Sequence, residues 1–219
     1  LRLNEELDGS GTPTGNIFLV NGLGRSDFYL RNPDGSFTSP PGYYNTLTHN
    51  PDRTFTLREP EGTKYIFSDF IPQSHRTFLL AIVDRNQNQL SFFYNEQGLL
   101  IRVLDTLGRA IHYSYDGNGR LDHITDFTDR TVSFAYDTNG DLVAVTSPAV
   151  TGTPNGNDFL NGKTTAYTYS SGFEDPRLNH NLLTRGECVR SRSKWLAHVN
   201  YRENSRFLFN FALSSFPGL

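Results

Sequence analysis

The first residues in this chain that could do chemistry are short runs of aspartate, asparagine and glycine. Asp116-Gly117-Asn118-Gly119 and Asp137-Thr138-Asn139-Gly140-Asp141 are oxygen-rich, as calcium loops are. A calcium loop of the EF-hand type also needs a bidentate Glu further along. Neither run has one at that spacing, so each reads as a hairpin turn, where Asn, Asp and Gly supply positive φ and local side-chain hydrogen bonds. His112 and His123 fall on the strands of one hairpin and could approach each other or Asp122. Two polar strand residues is the plainer reading. Cys188, with Arg185, Arg190 and Arg192 around it, could hold a reactive thiol if those charges converge, but no His follows before His198. Asp175-Pro176 lacks the flanking pattern of a cleavage motif. HExxH, P-loop, GxSxG and paired CxxC motifs are absent. The expectation is no catalytic residue, no cofactor and no metal.

Composition directs attention to strands instead. Phe and Tyr together number 28 against one Trp, and Gly and Pro together number 30 in 219 residues. Both biases favour strands and turns over helices. The formal net charge of −3 gives no general electrostatic argument for nucleic acid or an anionic membrane. The longest apolar stretch, Phe78 to Val83, is six residues, far short of a membrane-spanning helix. The cations are 17 Arg and 3 Lys, and Arg suits bidentate pairing and stacking on aromatic rings. One Cys forms no internal disulfide, so cysteine does not set the compartment. A chain that begins at Leu1 and contains no Met is expected to be a piece of a longer protein.

Residues 84–146 divide without gaps into three units of 21 residues. Asp84, Asp105 and Asp126 hold one column, Tyr94, Tyr115 and Tyr136 a second, and Gly98, Gly119 and Gly140 a third. Each unit opens with an alternating segment: Leu90, Phe92 and Tyr94; Ile111, Tyr113 and Tyr115; Val132, Phe134 and Tyr136. Period two predicts a strand with one buried face. A turn follows at Asn95–Gly98, Asp116–Gly119 and Asp137–Gly140. The next strand carries Leu100, Leu121 and Leu142, with Val103, Ile124 and Val145 three positions later. That offset puts the two columns on opposite faces of a regular strand, so either both faces are covered or a bulge realigns them. Each repeat is one β-hairpin.

A fourth copy is interrupted. Gly162, Lys163, Thr165, Tyr167, Tyr169 and Gly172 line up with Gly108, Arg109, Ile111, Tyr113, Tyr115 and, one position out, Gly119. The 12-residue insertion before them, within 147–161, reads as a surface loop. Upstream, 17–37 reads as a hairpin pair turning at Asn21-Gly22 and Pro33–Gly35, and 55–67 as another turning at Pro60–Gly62. Pro40-Pro41-Gly42 is a break. Past Thr184 the columns stop. The expected organisation is an N-terminal β region (1–83), the repeats (84–184) and an irregular C-terminal segment (185–219).

These columns resemble the YD repeats of the RHS family. Tyr115, Asp116, Gly119, Arg120 and Leu121 match the family's pattern fully. Tyr136, Asp137, Gly140 and Leu142 match with Asp141 in place of Arg, and Tyr94, Gly98 and Leu100 match with Asn95 in place of Asp. Asp105, Gly108 and Arg109 fit the linking turn; Asp84 and Asp126 keep its first position, with Gln87 and Asp129 where Gly is usual. The resemblance spans about residues 17–184. It implies an all-β fold of repeated antiparallel β-hairpins forming an extended, spiralling sheet. It implies a shell around a variable C-terminal effector domain in secreted bacterial toxins, or a cell-surface role to which carbohydrate binding is attributed. The partners it implies are further repeats and an effector domain of the same polypeptide, and cell-surface glycans; nucleic acid and a membrane span are not among them. A non-enzymatic scaffold is the first reading and a glycan-binding module the second. A hydrolase would need a cleft with converging carboxylates.

Overall fold

The computed structural model describes residues 1–187 and Leu196–Ala197, and every regular element among them is a strand apart from a short 3-10 turn at Pro176–Leu178. The chain divides into two compact units, Leu1–Ala110 and Ile111–Leu219.

The first unit opens with β1 (Arg2–Leu7), β2 (Pro13–Val20), β3 (Ser26–Arg31) and β4 (Phe37–Thr38), an antiparallel sheet in chain order. The break at Pro40-Pro41-Gly42 falls between this sheet and the next. Then come β5 (Thr46–His49), β6 (Phe55–Arg58), β7 (Lys64–Phe67), β8 (Leu79–Val83), β9 (Gln89–Tyr94) and β10 (Leu100–Leu104), again antiparallel and in chain order. The core lies between the two sheets. Leu3, Ile17, Leu19 and Tyr29 from the first sheet bury against Leu47, Phe55, Leu57 and Phe67 from the second. Alternation along each strand supplies these faces. Loop 68–78, between β7 and β8, explains its own length by reaching β1. The Leu3 N–H donates to Thr77 Oγ1 at 3.1 Å, the Thr77 N–H to the Leu3 carbonyl at 3.0 Å and the Glu5 N–H to the His75 carbonyl at 2.9 Å.

The second unit carries β11 (Ala110–Tyr115), β12 (Leu121–Thr125), β13 (Thr131–Tyr136), β14 (Leu142–Thr146), β15 (Thr164–Tyr169), β16 (Leu182–Glu187) and β17 (Leu196–Ala197), each antiparallel to the next. Its core is one sheet face: Ile111, Ile124, Val132, Phe134, Val145 and Tyr167, ringed by Tyr113, Leu121, Tyr136, Leu142, Tyr169 and Leu182. The opposite face carries small and hydroxyl residues. Thr125–Thr131, Thr146–Thr164 and Thr168–Thr184 pair through their hydroxyls across neighbouring strands. Ala135, Ala144 and Ala166 share one row.

The offset columns are resolved by bulges. Tyr115 pairs with Leu121 but Ser114 with His123, leaving Asp122 unpaired; Tyr136 pairs with Leu142 but Ala135 with Ala144, leaving Val143 unpaired. The extra residue turns a spacing of three into two, so Leu121 joins Ile124, and Leu142 joins Val145, on the core face. The same slip sits beside Leu79, Leu100 and Leu182. Leu90 departs from expectation: on β9 it is 39% exposed.

Candidate functional site: the repeat turns and the tyrosine seam

One turn serves nearly every strand connection. The N–H of its first residue donates to the carbonyl of the fifth, and the N–H of its fourth donates to the carbonyl of the first, as at Asp116, where the Asp116 N–H donates to the Arg120 carbonyl at 2.8 Å and the Gly119 N–H to the Asp116 carbonyl at 3.0 Å. Turns opening at Asp8, Asn21, Asn32, Asn50, Glu59, Asp84, Asn95, Asp105, Asp126 and Asp137 repeat that pair of bonds. The fourth residue always has positive φ: Gly98 at 78°, Gly108 at 79°, Gly119 at 74° and Gly140 at 88°. Gln87 at 68° and Asp129 at 62° adopt it without being glycine, so the departures at these positions leave the turn unchanged. Tip and linking turns are therefore one device. The 21-residue repeat contains two copies of it, opening 11 and 10 residues apart at Asp84, Asn95 and Asp105.

The first side chain does the fastening. Asp116 Oδ1 accepts the Asn118 and Arg120 backbone N–H groups, both at 2.9 Å, and its Oδ2 accepts Arg120 Nε at 2.8 Å. Arg109 Nε reaches Asp105 Oδ2 at 2.6 Å, and Arg130 Nε reaches Asp126 Oδ2 at 2.8 Å. The Asp126 side chain is fully buried. The Arg120 backbone N–H is the leading cause holding the Asp116 carboxyl below its usual range. Burial alone would raise Asp126, but the Thr128 hydroxyl, the Arg130 guanidinium and two backbone N–H groups outweigh it and its pKa is lowered. Carboxylate oxygens occupied by N–H donors turn toward the chain rather than a cation. Among the described residues no cluster of three or more His, Cys, Asp and Glu could hold a metal ion.

At Asp137 the fastening changes. Asp137 Oδ1 takes the Asn139 and Asp141 N–H groups at 2.9 Å, but Asp141 stands where Arg109, Arg120 and Arg130 complete the turns at Asp105, Asp116 and Asp126. Its Oδ2 pairs instead with His180 Nδ1 at 2.8 Å, in the loop after β15.

Three of the longer connections share a second device, in which a serine stands first. Ser68, Ser147 and Ser170 accept on Oγ the closing N–H of Phe78, Lys163 and Asn181, at 2.9, 2.9 and 3.1 Å. Each hydroxyl also donates to a loop carbonyl: Asp69, Pro148 and Leu178. A carboxylate has no proton to donate, which suits serine to these loops. In the last, His180 at φ 61° donates its N–H to the Ser170 carbonyl and takes the glycine's place. The alignment of Gly172 with Gly119 is thereby corrected: the loop is expanded, and the equivalent position lies eight residues further on. The insertion after β14 closes on itself through Val150 and Phe159, with Asp158 accepting the Gly152 and Thr153 N–H groups.

The tyrosine column forms a seam between strands. The Tyr136 hydroxyl donates to the Leu121 carbonyl at 3.0 Å, Tyr94 to Leu79 at 2.9 Å and Tyr169 to Leu142 at 2.9 Å. Each acceptor is the leucine beside a bulge. The Tyr94 ring also stacks on Phe78, with centroids 4.4 Å apart, and Arg120 lies over the Tyr136 ring at 4.7 Å. Burial raises Tyr113 to about 12, with a smaller push from Tyr115, and burial also raises Tyr115.

The remaining candidates separate. His123 Nδ1 lies 2.7 Å from Asp122 Oδ2, while His112 stands opposite Thr125 and not His123. Cys188, Arg190, Arg192 and His198 lie outside the described residues. No helix among the described residues is long and apolar enough to cross a membrane.

Comparison with known proteins gives a matching identity for the repeat. The RHS Repeat family model matches residues 94–131. No curated protein matches the chain. Among solved structures it is similar to the crystal structure of TcdB2-TccC3, at 14% identity over 88% of this chain and 12% of that one, with a TM-score of 0.45. It is also similar to TcdB2-TccC3 without the hypervariable C-terminal region, at 14% identity over 88% of this chain and 11% of that one, with a TM-score of 0.46. The chain thus spans about an eighth of the length of those chains. The matched segment runs from the Tyr94 seam through successive copies of the repeat turn to the start of β13, and over residues 94–131 the chain carries the RHS repeat.

Proposed function

We propose that this chain is a non-enzymatic segment of an RHS β-shell, whose hairpins help encapsulate or display an effector domain carried on the same polypeptide, in a secreted toxin or a cell-surface protein. One observation carries the reading: the side chains that recur at the repeat spacing spend their polar atoms on the chain itself. The Asp105, Asp116 and Asp126 carboxylates fasten turns, and the Tyr94 and Tyr136 hydroxyls join strands. A hairpin with one apolar face gains stability only from neighbours, which suits a wall built by repetition. The test is protease protection in the complete parent polypeptide. Segments downstream of the repeats resist cleavage in the wild type and become susceptible in Asp126→Ala. Equal susceptibility in both overturns the encapsulating role.

A glycan-binding module is the second reading, and Tyr44, 81% exposed, favours it because an exposed ring can stack on a sugar face. The outer face of β11–β16 offers hydroxyls, alanines and the two imidazoles of His112 and His123 rather than Phe, Tyr or Trp rings, so the module would be centred on the first unit. Glycan-array binding lost in Tyr44→Ala supports this reading.

A further inference from the structure

The chain contains five Asn-Gly pairs, at Asn21, Asn118, Asn139, Asn155 and Asn161. This dipeptide is chemically labile. The glycine nitrogen bonds to the asparagine Cγ, the Cγ–Nδ2 bond breaks, and ammonia leaves with the proton lost from the glycine nitrogen. Water then opens the resulting succinimide at either carbonyl, giving aspartate or isoaspartate. The reaction requires the glycine N–H to leave its acceptor and the asparagine amide to swing toward it, so a folded chain reacts through local opening.

Three pairs are held by more than one hydrogen bond, and in a fourth, at Asn161, the glycine is packed against the Ser147 backbone. Asn118 and Asn139 sit inside repeat turns. Their own N–H groups donate to Asp116 and Asp137 Oδ1 at 2.9 Å, and the following Gly119 and Gly140 N–H groups donate to the Asp116 and Asp137 carbonyls at 3.0 and 3.1 Å. Asn21 opens a turn, and its amide oxygen accepts the Leu23 and Arg25 N–H groups at 2.8 and 3.1 Å, which fixes the carbon to be attacked. Asn161 precedes Gly162, whose N–H donates to the Phe159 carbonyl at 2.9 Å and whose Cα lies so near Ser147 that an added Cβ would stand 1.9 Å from that carbonyl oxygen. Asn155 is different. It is exposed at the apex of the inserted loop, outside the sheet, and the bond holding its pair is the Gly156 N–H to the Thr153 carbonyl at 3.0 Å.

We propose that Asn155 is the chain's site of spontaneous deamidation, a modification that adds one negative charge to the inserted loop while the repeat turns shield Asn118 and Asn139. The chain is incubated at mildly alkaline pH, folded and in urea, and digested peptides are followed by mass and by isoaspartate content. In the folded chain Asn155 reacts about tenfold or more faster than Asn118 and Asn139, the factor that ~1.4 kcal/mol of extra opening free energy gives. In urea the five sites converge. Asp137→Ala, which removes two of the bonds around Asn139, accelerates Asn139 and leaves Asn118 unchanged. Folded-chain rates that follow the urea ranking, or Asn118 and Asn139 reacting before Asn155, overturn the proposal.

Discussion

The Tyr136 hydroxyl and the Leu121 carbonyl lie 3.0 Å apart across two neighbouring strands, fifteen residues apart in the chain. The acceptor belongs to the residue flanking the bulge, so one bond fixes both the end of β13 and the irregular start of β12. Tyr136→Phe keeps the ring and removes the donor. It should lower stability by about 1 kcal/mol, the net worth of one such bond. Tyr94→Phe should cost a similar amount, and the two losses should add because the bonds share no partner. Urea unfolding of the single and double variants checks this.

The turn aspartates should rank by burial. Asp126 is fully enclosed and paired with Arg130, whereas the Asp116 side chain is 25% exposed. Asp116→Ala strips acceptors from two backbone N–H groups, one of them open to water, and should be the milder change. Asp126→Ala breaks a pair whose acid is buried and should cost more, about 3–5 kcal/mol. Equal losses in denaturant titrations would contradict the ranking.

Two glycines with nearly the same backbone should respond differently. Gly108 has φ 79° and open space where a Cβ would go, so Gly108→Ala should cost only the left-handed strain, roughly 1–2 kcal/mol. Gly162 has φ 71°, and an added Cβ would meet the Ser147 carbonyl oxygen. Gly162→Ala should therefore cost more than Gly108→Ala, because backbone must also move. Thermal melts of the two variants compare them directly.

The hairpin repeats were legible because a period of 21 makes three weak columns reinforce one another. Tip and linking turns looked different because Gln87 and Asp129 lack the glycine that announces positive φ, although both residues adopt it. The bulge was legible as one of two alternatives from the offset of Leu121 and Ile124, and pairing decided between them. β1 was not legible. Its partners beyond β2 lie in loop 68–78, as in the Leu3–Thr77 bond across 74 residues, and no local pattern encodes such a contact. Gly172 misled for the opposite reason: it stood near the expected column, while His180, eight residues on, closes the turn.

Acid should weaken the fold through these carboxylates. The Asn88 amide leads in holding Asp84 below its usual range, the Thr54 hydroxyl leads for Asp52, and the Arg120 backbone N–H for Asp116. A carboxyl whose folded pKa is depressed adds stability above its unfolded value of about 3.9, and that stability is lost as pH falls through the folded value. The urea midpoint should therefore drop below about pH 4. At the other end, burial leads in raising Tyr113 and Tyr169 to about 12, so their contribution is full below the ordinary tyrosine value of about 10 and disappears as pH climbs through the folded value. A midpoint flat across the acid range would contradict the assignment of these turns.

Residue-resolved hydrogen exchange tests most directly whether the recurring residues are the chain's own fasteners. The amides of Arg109, Arg120 and Arg130 lie in turns, where exchange is ordinarily fast, yet each donates to an aspartate side chain at 2.9, 2.9 and 3.0 Å. They should exchange as slowly as the flanking strands, and Asp116→Ala should release Arg120 while leaving Arg130 protected. Fast exchange at all three in the wild-type chain would contradict the repeat turn as the unit that holds the sheet together.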